Sequence, residues 1–300
     1  TKEGDSPNWV KRRKNLEERF PAVAVVNRIA ERERFFHWPL RLATVFMPQK
    51  GEHVGFDLTL GNPPWKVAAW NAGDVLGNKN PKYLIHSNEY SATEVQKVLL
   101  GKRDLDTNGR KFFEQFPEVY QEWLTAFESN AGAKAFFASM TTYPLLKGSQ
   151  SDLFKFFLPT VWRHASNNAV QGLVHPDTVY TETKGDTLRA ETYHRVRKHY
   201  QFRNELKLFP DVGNTREFSL NIYGTPHTNV EFNSINDLFL PKTIAHCHTA
   251  SLSNKLEGDK DSSGKWNVHG HPDRILHFDD QALASIAKIF GGNPAAPLLP

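Results

Sequence analysis

The sequence predicts an α/β fold, and three observations carry that prediction. Two apolar runs stop at turn residues: Phe56-Asp57-Leu58-Thr59-Leu60 at Gly61, and Gln171-Gly172-Leu173-Val174-His175 at Pro176. Helical apolar stripes lie between and after them, over 110–140, from Ser151 to His164 and over 183–199. Two short apolar runs then follow as neighbours, Leu206-Lys207-Leu208-Phe209 and Phe218-Ser219-Leu220-Asn221-Ile222-Tyr223. Strands alternating with helices give a sheet covered by helices. Two adjacent strands at the end give a mixed sheet with an antiparallel edge.

Residues 1–34 are dense in Lys, Arg and Glu. Trp9, Leu16 and Phe20, then Val26, Ile29 and Ala30, recur at roughly helical spacing, and Pro21 separates two helices. The run Lys11-Arg12-Arg13-Lys14 reads as a solvated helix face, with phosphate contact as the alternative. Phe35 to Phe46 is aromatic and punctuated by proline, an irregular packed segment leading to the first strand. Residues 66–90 hold Gly, Asn, Lys and Pro without periodicity, a long loop of the functional or mobile kind. Helical patterns return at 92–100 and 110–140. Ser151 or Asp152 is the N-cap of a helix with Leu153, Phe156, Phe157 and Val161 as its apolar stripe. After Gly224 the pattern thins. Residues 254–266 read as a polar, flexible loop and 281–290 as a short amphipathic helix. There are no internal repeats and no heptads.

Composition narrows the class. A chain of 300 residues suits one large domain or two small ones. Hydrophobic residues at 39% and charged residues at 23% exclude a disordered chain, a collagen and a disulfide scaffold. Cys247 is the single cysteine and cannot close an internal disulfide, which fits a reducing cytoplasm. No apolar run is long enough to span a bilayer and no signal peptide is visible. A net charge of +4 permits a polyanionic partner without requiring one. The first residue is Thr1, and Asn293 to Pro300 is a Pro/Ala/Leu stretch without a fold role, so the chain reads as an excised piece of a longer protein.

Asn62-Pro63-Pro64-Trp65 is the element that carries chemistry. It follows a strand directly, and open α/β sheets bind ligands at the carboxyl ends of strands. Consecutive prolines fix two φ angles and remove two donors. What remains is an amide side chain, backbone carbonyls and an aromatic face, a set that suits a planar substrate bearing an amine. The Asn62 side-chain oxygen and the Pro63 carbonyl each accept a hydrogen from –NH2, and Trp65 stacks on the ring. An amine conjugated to a purine is a poor nucleophile, and positioning with electrostatic help is what such a reaction needs. The structural alternative is a rigid Pro-Pro turn with Trp65 in the core.

Phe56 to Trp65 resembles motif IV of amino-methyltransferases, the Asn-Pro-Pro-aromatic motif. That motif is shared by N6-adenine DNA methyltransferases, RNA methyltransferases and protein-glutamine methyltransferases. Its neighbours narrow the resemblance. Phe36-His37-Trp38-Pro39-Leu40 with Val45-Phe46, the helix from Ser151 to Phe157, the strand Gly172 to Asp177, and Leu206 to Asp211 with Phe218 to Tyr223 follow in the order seen in large adenine methylases of restriction–modification and phage-defence systems, often type II G-like. The similarity covers roughly residues 35–224.

The resemblance implies the later half of a Rossmann-like, S-adenosylmethionine-dependent methyltransferase sheet over 35–224, with an insertion at 66–150. A helical lead-in occupies 1–34, and 225–300 forms a C-terminal extension, the start of a target-recognition or linker region. It implies a site-specific DNA adenine-N6 methyltransferase as the parent. Asn62, Pro63, Pro64 and Trp65 would form the catalytic set, Asn62 and Pro63 binding the target amine and Trp65 stacking on the base, and Phe209 would be a second aromatic wall. The base reaches such a pocket by flipping from double-stranded DNA. One departure matters: no Phe-x-Gly-x-Gly pattern precedes Asn62, and the acidic residue expected after the second strand has no clear counterpart. The fragment alone is therefore expected neither to bind S-adenosylmethionine nor to turn over, and the remainder of the parent upstream becomes its partner. The alternatives are a non-catalytic DNA-binding or target-recognition module, and an RNA or protein-glutamine methyltransferase with the same motif.

Other clusters carry two readings. Arg189, Arg195, Arg197, Lys198 and Arg203, with Tyr193, His199 and Tyr200 among them, line a DNA-backbone groove or form a solvated helix face. His246-Cys247-His248 and His269-Gly270-His271 would share a face on strands, yet their spacing matches no structural zinc motif, so no metal is expected. Gly258-Asp259-Lys260-Asp261 and Asp279-Asp280 read as solvated loop rather than a nuclease metal site.

Overall fold

The computed structural model describes residues 7–47, 54–67, 70–71, 73–79, 81, 116–252 and 256–299. The chain forms two compact units, Thr1–Gly55 and Phe56–Pro300. The first holds α1 (Pro7–Arg19), α2 (Pro21–Glu33), α3 (Trp38–Arg41) and α4 (Ala43–Phe46). Pro21 stands in the first turn of α2, where its fixed φ and missing N–H cost nothing. Asn27 Nδ2 donates to Glu17 Oε1 at 2.7 Å and ties α2 to α1. The segment expected to be irregular forms the short turns α3 and α4.

The second unit is built on six strands in the order β1-β2-β4-β3-β5-β6. They are β1 (Phe56–Gly61), β2 (Ala165–Pro176), β3 (Val196–Arg203), β4 (Glu217–Tyr223), β5 (Glu231–Leu238) and β6 (Leu276–Asp279). β1 is parallel to β2 and β3 to β5; β4 is antiparallel to both its neighbours, and β6 to β5. The fold is α/β with a mixed sheet, as the sequence predicts. The antiparallel strand β4 lies inside the sheet, however, and the antiparallel edge is β6. Among the described residues β1 pairs only with β2, and its Leu58 and Leu60, with Val170 beside them, are exposed.

The helices of this unit are α5 (Gly73–Leu76), α6 (Pro117–Phe137), α7 (Leu153–Arg163), α8 (Thr178–Thr181), α9 (Asp186–Arg195), α10 (Lys242–Thr249) and α11 (Asp280–Phe290). The helices read at 92–100 and at the start of 110–140 lie outside the described residues. Asp279 caps α11 by accepting from the Ala282 N–H at 2.8 Å.

Three local readings need correction. The helix expected over 183–199 stops at Arg195, and the next eight residues form the interior strand β3. Register shifts at Val196/Lys198 and Tyr200/Phe202 break its two-residue period. Leu206–Phe209 is not a strand. A 3-10 turn, Asn204–Leu206, ends at Lys207 with φ 53°, and an irregular loop then carries Phe209. In α7 the buried face is Phe154, Phe156, Leu158 and Trp162, while Phe157 is exposed. Asp152 stands at the N-cap of α7, one of the two positions read from the sequence, although its carboxylate bonds no backbone N–H there. It pairs with Lys155 Nζ at 2.8 Å, a buried ammonium also held by Glu182. Past Gly224, where the pattern thins, β5 and β6 extend the same sheet.

Two cores result. The larger gathers Phe154, Leu158, Trp162, Leu173, Tyr180, Tyr193, Phe232 and Leu283 from α7, β2, α8, α9, β5 and α11. The smaller, Phe202, Phe218, Ile235, Leu238 and Cys247, sits where β3 and β5 end and β4 begins. β1, β2, β3 and β5 all run toward one edge of the sheet.

Candidate functional site

That edge carries the motif. Gly61 closes β1 opposite Leu173, and the chain leaves the sheet through Asn62-Pro63-Pro64-Trp65. Pro63 is buried, Asn62 and Pro64 are exposed, and Trp65 is half-buried. Beyond Trp65, the Lys66 carbonyl accepts from the Leu153 N–H at 2.8 Å and Val67 bridges to Asp152. The motif is thus held at both ends, by β2 before it and by the start of α7 after it.

Trp65 Nε1–H donates to Asn62 Oδ1 at 2.8 Å. This bond orients the carboxamide, with one lone pair of its oxygen engaged and the second left over. The Trp65 ring meets Phe209 at 5.0 Å between centroids and 63°, and Phe218 at 5.5 Å and 34°. Phe209 and Phe218 meet edge to face at 4.9 Å. The structure therefore brings Trp65 and Phe209 together, as the sequence reading expects of two aromatic walls, but in direct contact. A base between two rings needs centroids about 7 Å apart, two stacking distances, so the corner is closed in this structure.

Asn204 holds that corner, and the sequence reading missed it. It is fully buried at the end of β3. Its Nδ2 donates to the Phe209 carbonyl at 2.9 Å and the Val212 carbonyl at 2.9 Å, and its Oδ1 accepts from the Phe209 N–H at 3.0 Å. Phe218, the third ring, was read only as a strand residue. One signal was available for Asn204: a lone amide between a strand pattern and a Pro/Gly loop.

Behind the edge lies a buried polar network. Asp177, just past β2, takes His199 Nε2 at 2.9 Å and Gln201 Nε2 at 3.0 Å. His199 Nδ1 lies 2.8 Å from Ser234 Oγ, which donates to Asn236 at 2.6 Å. Burial pushes the Asp177 carboxyl up, yet His199 and the hydrogen bonds from His199, Ser219 and Gln201 outweigh it, and its pKa falls below the ordinary carboxylate value. His175 Nδ1 sits 2.8 Å from the Pro176 carbonyl, which only accepts, so the ring proton is assigned to Nδ1. Nε2 then receives Tyr223 OH at 2.7 Å and Asn221 Nδ2 at 3.0 Å. Burial drives the His175 pKa down to about 4. Burial raises both tyrosine hydroxyls of the network, Tyr180 and Tyr223. Ser234, His199 and Asp177 line up as a nucleophile, base and carboxylate would, but all three are buried, and they act as a structural network.

The basic residues do not form one cluster. Arg189 is buried and donates to the carbonyls of Glu182 and Ala296 and to Asp186. Arg195 pairs with Glu191 and lies over Trp162. Arg197 donates to carbonyls of His194, Val196 and Thr225, and burial followed by the nearby Arg195 lowers its pKa. Lys198 is half-buried on β3. Arg203 stands at the other end of that strand, roughly 20 Å from Arg197 at strand rise. It pairs with Asp237 at 2.7 Å, Asp259 at 3.0 Å and Glu217 at 3.7 Å. Its guanidinium offsets carboxylates of the protein itself.

His246 and His248 lie on α10, a helix, where residues two apart point to different faces. A Cβ on Gly270 would fall 2.2 Å from the His246 backbone, so the two histidine runs meet through a glycine that lets the chains touch. Among the described residues no group of three or more His, Cys, Asp or Glu is placed to hold a metal ion, and no helix is long and apolar enough to cross a membrane.

No family model matches the chain, and no curated protein matches it. Among solved structures, the chain is similar to the methyltransferase subunit of a type I restriction-modification system from Streptococcus thermophilus. That similarity has 12% identity and a TM-score of 0.33, over 72% of this chain and 36% of the other. The M protein of the type I restriction enzyme EcoKI matches at 13% identity and a TM-score of 0.30, over 45% of this chain and 36% of the other. The ATP-dependent Type ISP restriction-modification enzyme LlaBIII, bound to DNA, matches at 11% identity and a TM-score of 0.28, over 61% of this chain and 10% of the other. The chain spans little more than a third of the length of these proteins at most.

Proposed function

We propose that this chain is the target-base half of an S-adenosylmethionine-dependent, site-specific N6-adenine DNA methyltransferase of a restriction–modification or phage-defence system. The observation that carries this reading is the placement of Asn62-Pro63-Pro64-Trp65. The motif leaves the carboxyl end of β1 with Asn62 exposed, Pro63 buried and Trp65 braced by Phe209 and Phe218. Ligands of α/β sheets are received at that end.

The chain's own residues account for amine activation. The second lone pair of Asn62 Oδ1 and the Pro63 carbonyl accept the two hydrogens of the adenine amine. Two acceptors draw the nitrogen toward tetrahedral geometry and localise its lone pair for in-line attack. No covalent enzyme intermediate and no general base are needed, because the proton leaves after transfer. Receiving the base requires Phe209 to move away from Trp65.

The described residues do not themselves fit S-adenosylmethionine. Those before β1 form helices α1 to α4, and no glycine-rich strand-to-helix loop is among them. The cofactor half is therefore assigned to the parent upstream, paired in sheet order with the side of β1 that no described residue covers. Calorimetry with S-adenosylmethionine tests this on the chain and on a form extended upstream. Binding by the extended form alone, followed by methyl transfer to duplex DNA in preference to RNA or release-factor-like protein, supports the reading. Binding by neither leaves a DNA-binding module as the better account.

A further inference from the structure

We propose that Asn204 is the positioning residue of the aromatic corner: its buried carboxamide sets where Phe209 stands against Trp65, and through Trp65 it sets the orientation of Asn62. The corner's role in receiving a base rests on the function proposed above; the positioning role does not.

The loop from Glu205 to Gly213 has no ladder of its own. Its backbone groups converge on one side chain. Asn204 Nδ2 faces the carbonyls of Phe209, Val212 and, at 3.4 Å, Gly213, while Oδ1 receives the Phe209 N–H. Of the side chains of this length, only a carboxamide both donates twice and accepts. A carboxylate would turn its oxygens toward three carbonyls, and an apolar residue would leave the buried groups unpaired, the costly outcome. Lys207 Nζ adds an exposed second donor to the Val212 carbonyl at 3.0 Å. Asn204 is in turn fixed to the sheet, its N–H donating to the Arg216 carbonyl at 3.1 Å. A continuous set of contacts follows: Asn204 to the Phe209 backbone, Phe209 ring to Trp65 ring, Trp65 Nε1–H to Asn62 Oδ1.

The test reads Trp65 directly. The chain has seven tryptophans, so 15N-tryptophan labelling gives seven indole N–H signals, and the one lost in Trp65→Phe is Trp65. Asn204→Asp is expected to shift that signal and speed its hydrogen exchange while the other six stay in place. Lys207→Met, an exposed and milder change, is expected to shift it less, in the same direction. Asn267→Asp is the control. Asn267 clamps a different loop with the same chemistry, donating to the Glu257 and Gly258 carbonyls and accepting from the His269 N–H. It should leave Trp65 unmoved.

A Trp65 signal that stays put in both Asn204→Asp and Lys207→Met overturns the proposal. So does an Asn204→Asp spectrum with all seven signals moved while Lys207→Met leaves Trp65 in place. Adenosine titration is the second arm. A Trp65 shift in the wild type that needs at least tenfold more adenosine in Asn204→Asp supports both the positioning and the base reading. A wild-type Trp65 signal blind to adenosine counts against the base reading, while the ligand-free spectra still decide the role of Asn204.

Discussion

His175 makes stability depend on pH in a way the structure quantifies. Its ring is fully buried and neutral, with Nδ1 donating to the Pro176 carbonyl and Nε2 receiving Tyr223 and Asn221. Its pKa is about 4 in the folded chain, against 6.5 for a free histidine. Below pH 6.5 the unfolded chain takes up a proton that the native ring refuses until about pH 4. The unfolded state binds more protons across that window, so stability is full above it and falls as pH drops. At about 1.4 kcal/mol per unit, the loss from this one residue is roughly 3 kcal/mol, a large part of a typical domain's stability. Urea unfolding followed by tryptophan fluorescence from pH 7.5 to 4 measures it. His175→Asn removes the titrating group, and the wild-type-minus-variant difference isolates its share from the other histidines. 15N spectra of labelled histidine give an independent reading, with the Nε2 signal of His175 staying in the neutral tautomer at pH 5.5. A His175 that titrates at or above 6.5, or a variant whose pH slope equals the wild type's, would refute the reasoning.

Further outcomes follow from the same geometry, those on methyl transfer and duplex binding resting on the function proposed above. Asp177→Ala leaves His199 Nε2 and Gln201 Nε2 buried without their acceptor and should destabilise the fold by about 2–6 kcal/mol, at about 1–3 kcal/mol per orphaned group; a urea midpoint within error of wild type would contradict it. Asn62→Ala in the parent enzyme should abolish methyl transfer while leaving duplex affinity within about twofold, a change too small to reflect a lost charge-assisted contact; filter binding and methyl incorporation check the two halves. Trp65→Phe keeps a ring but removes the N–H that orients Asn62, so methyl transfer should drop by about tenfold for one lost hydrogen bond. Arg203→Ala should leave the salt dependence of duplex binding unchanged, because its guanidinium already serves Asp237, Asp259 and Glu217. A slope reduced by about one unit would instead place Arg203 on a phosphate.

The strands that alternate cleanly were legible. β1 and the second half of β2 announce themselves by apolar runs ending at Gly61 and Pro176, and the motif between β1 and Trp65 is readable because its residue types are rare together. β3 was not legible, since bulges interrupt its period and its buried positions include His199 and Gln201, which read as surface residues. The first half of β2 is disguised by Ser166, Asn167 and Asn168. Phe209 is singled out only through the family resemblance, and the loop that carries it reads as a strand because Leu206, Leu208 and Phe209 look like one. What fixes that loop is Asn204, and one buried amide leaves no periodic trace. The basic run from Arg189 to Arg203 looked like one patch because sequence distance hides direction. A helix and the strand that follows it directly send those guanidinium groups to separate carboxylates and carbonyls.

The sheet position of β1 bears on how the chain is expected to behave in a test tube. Among the described residues β1 is bordered on one side only, a position that invites pairing with another extended segment, and its Leu58 and Leu60 are 60% and 71% exposed. Self-association will grow with concentration, and freezing, concentrating or long incubation will favour turbidity over monomer.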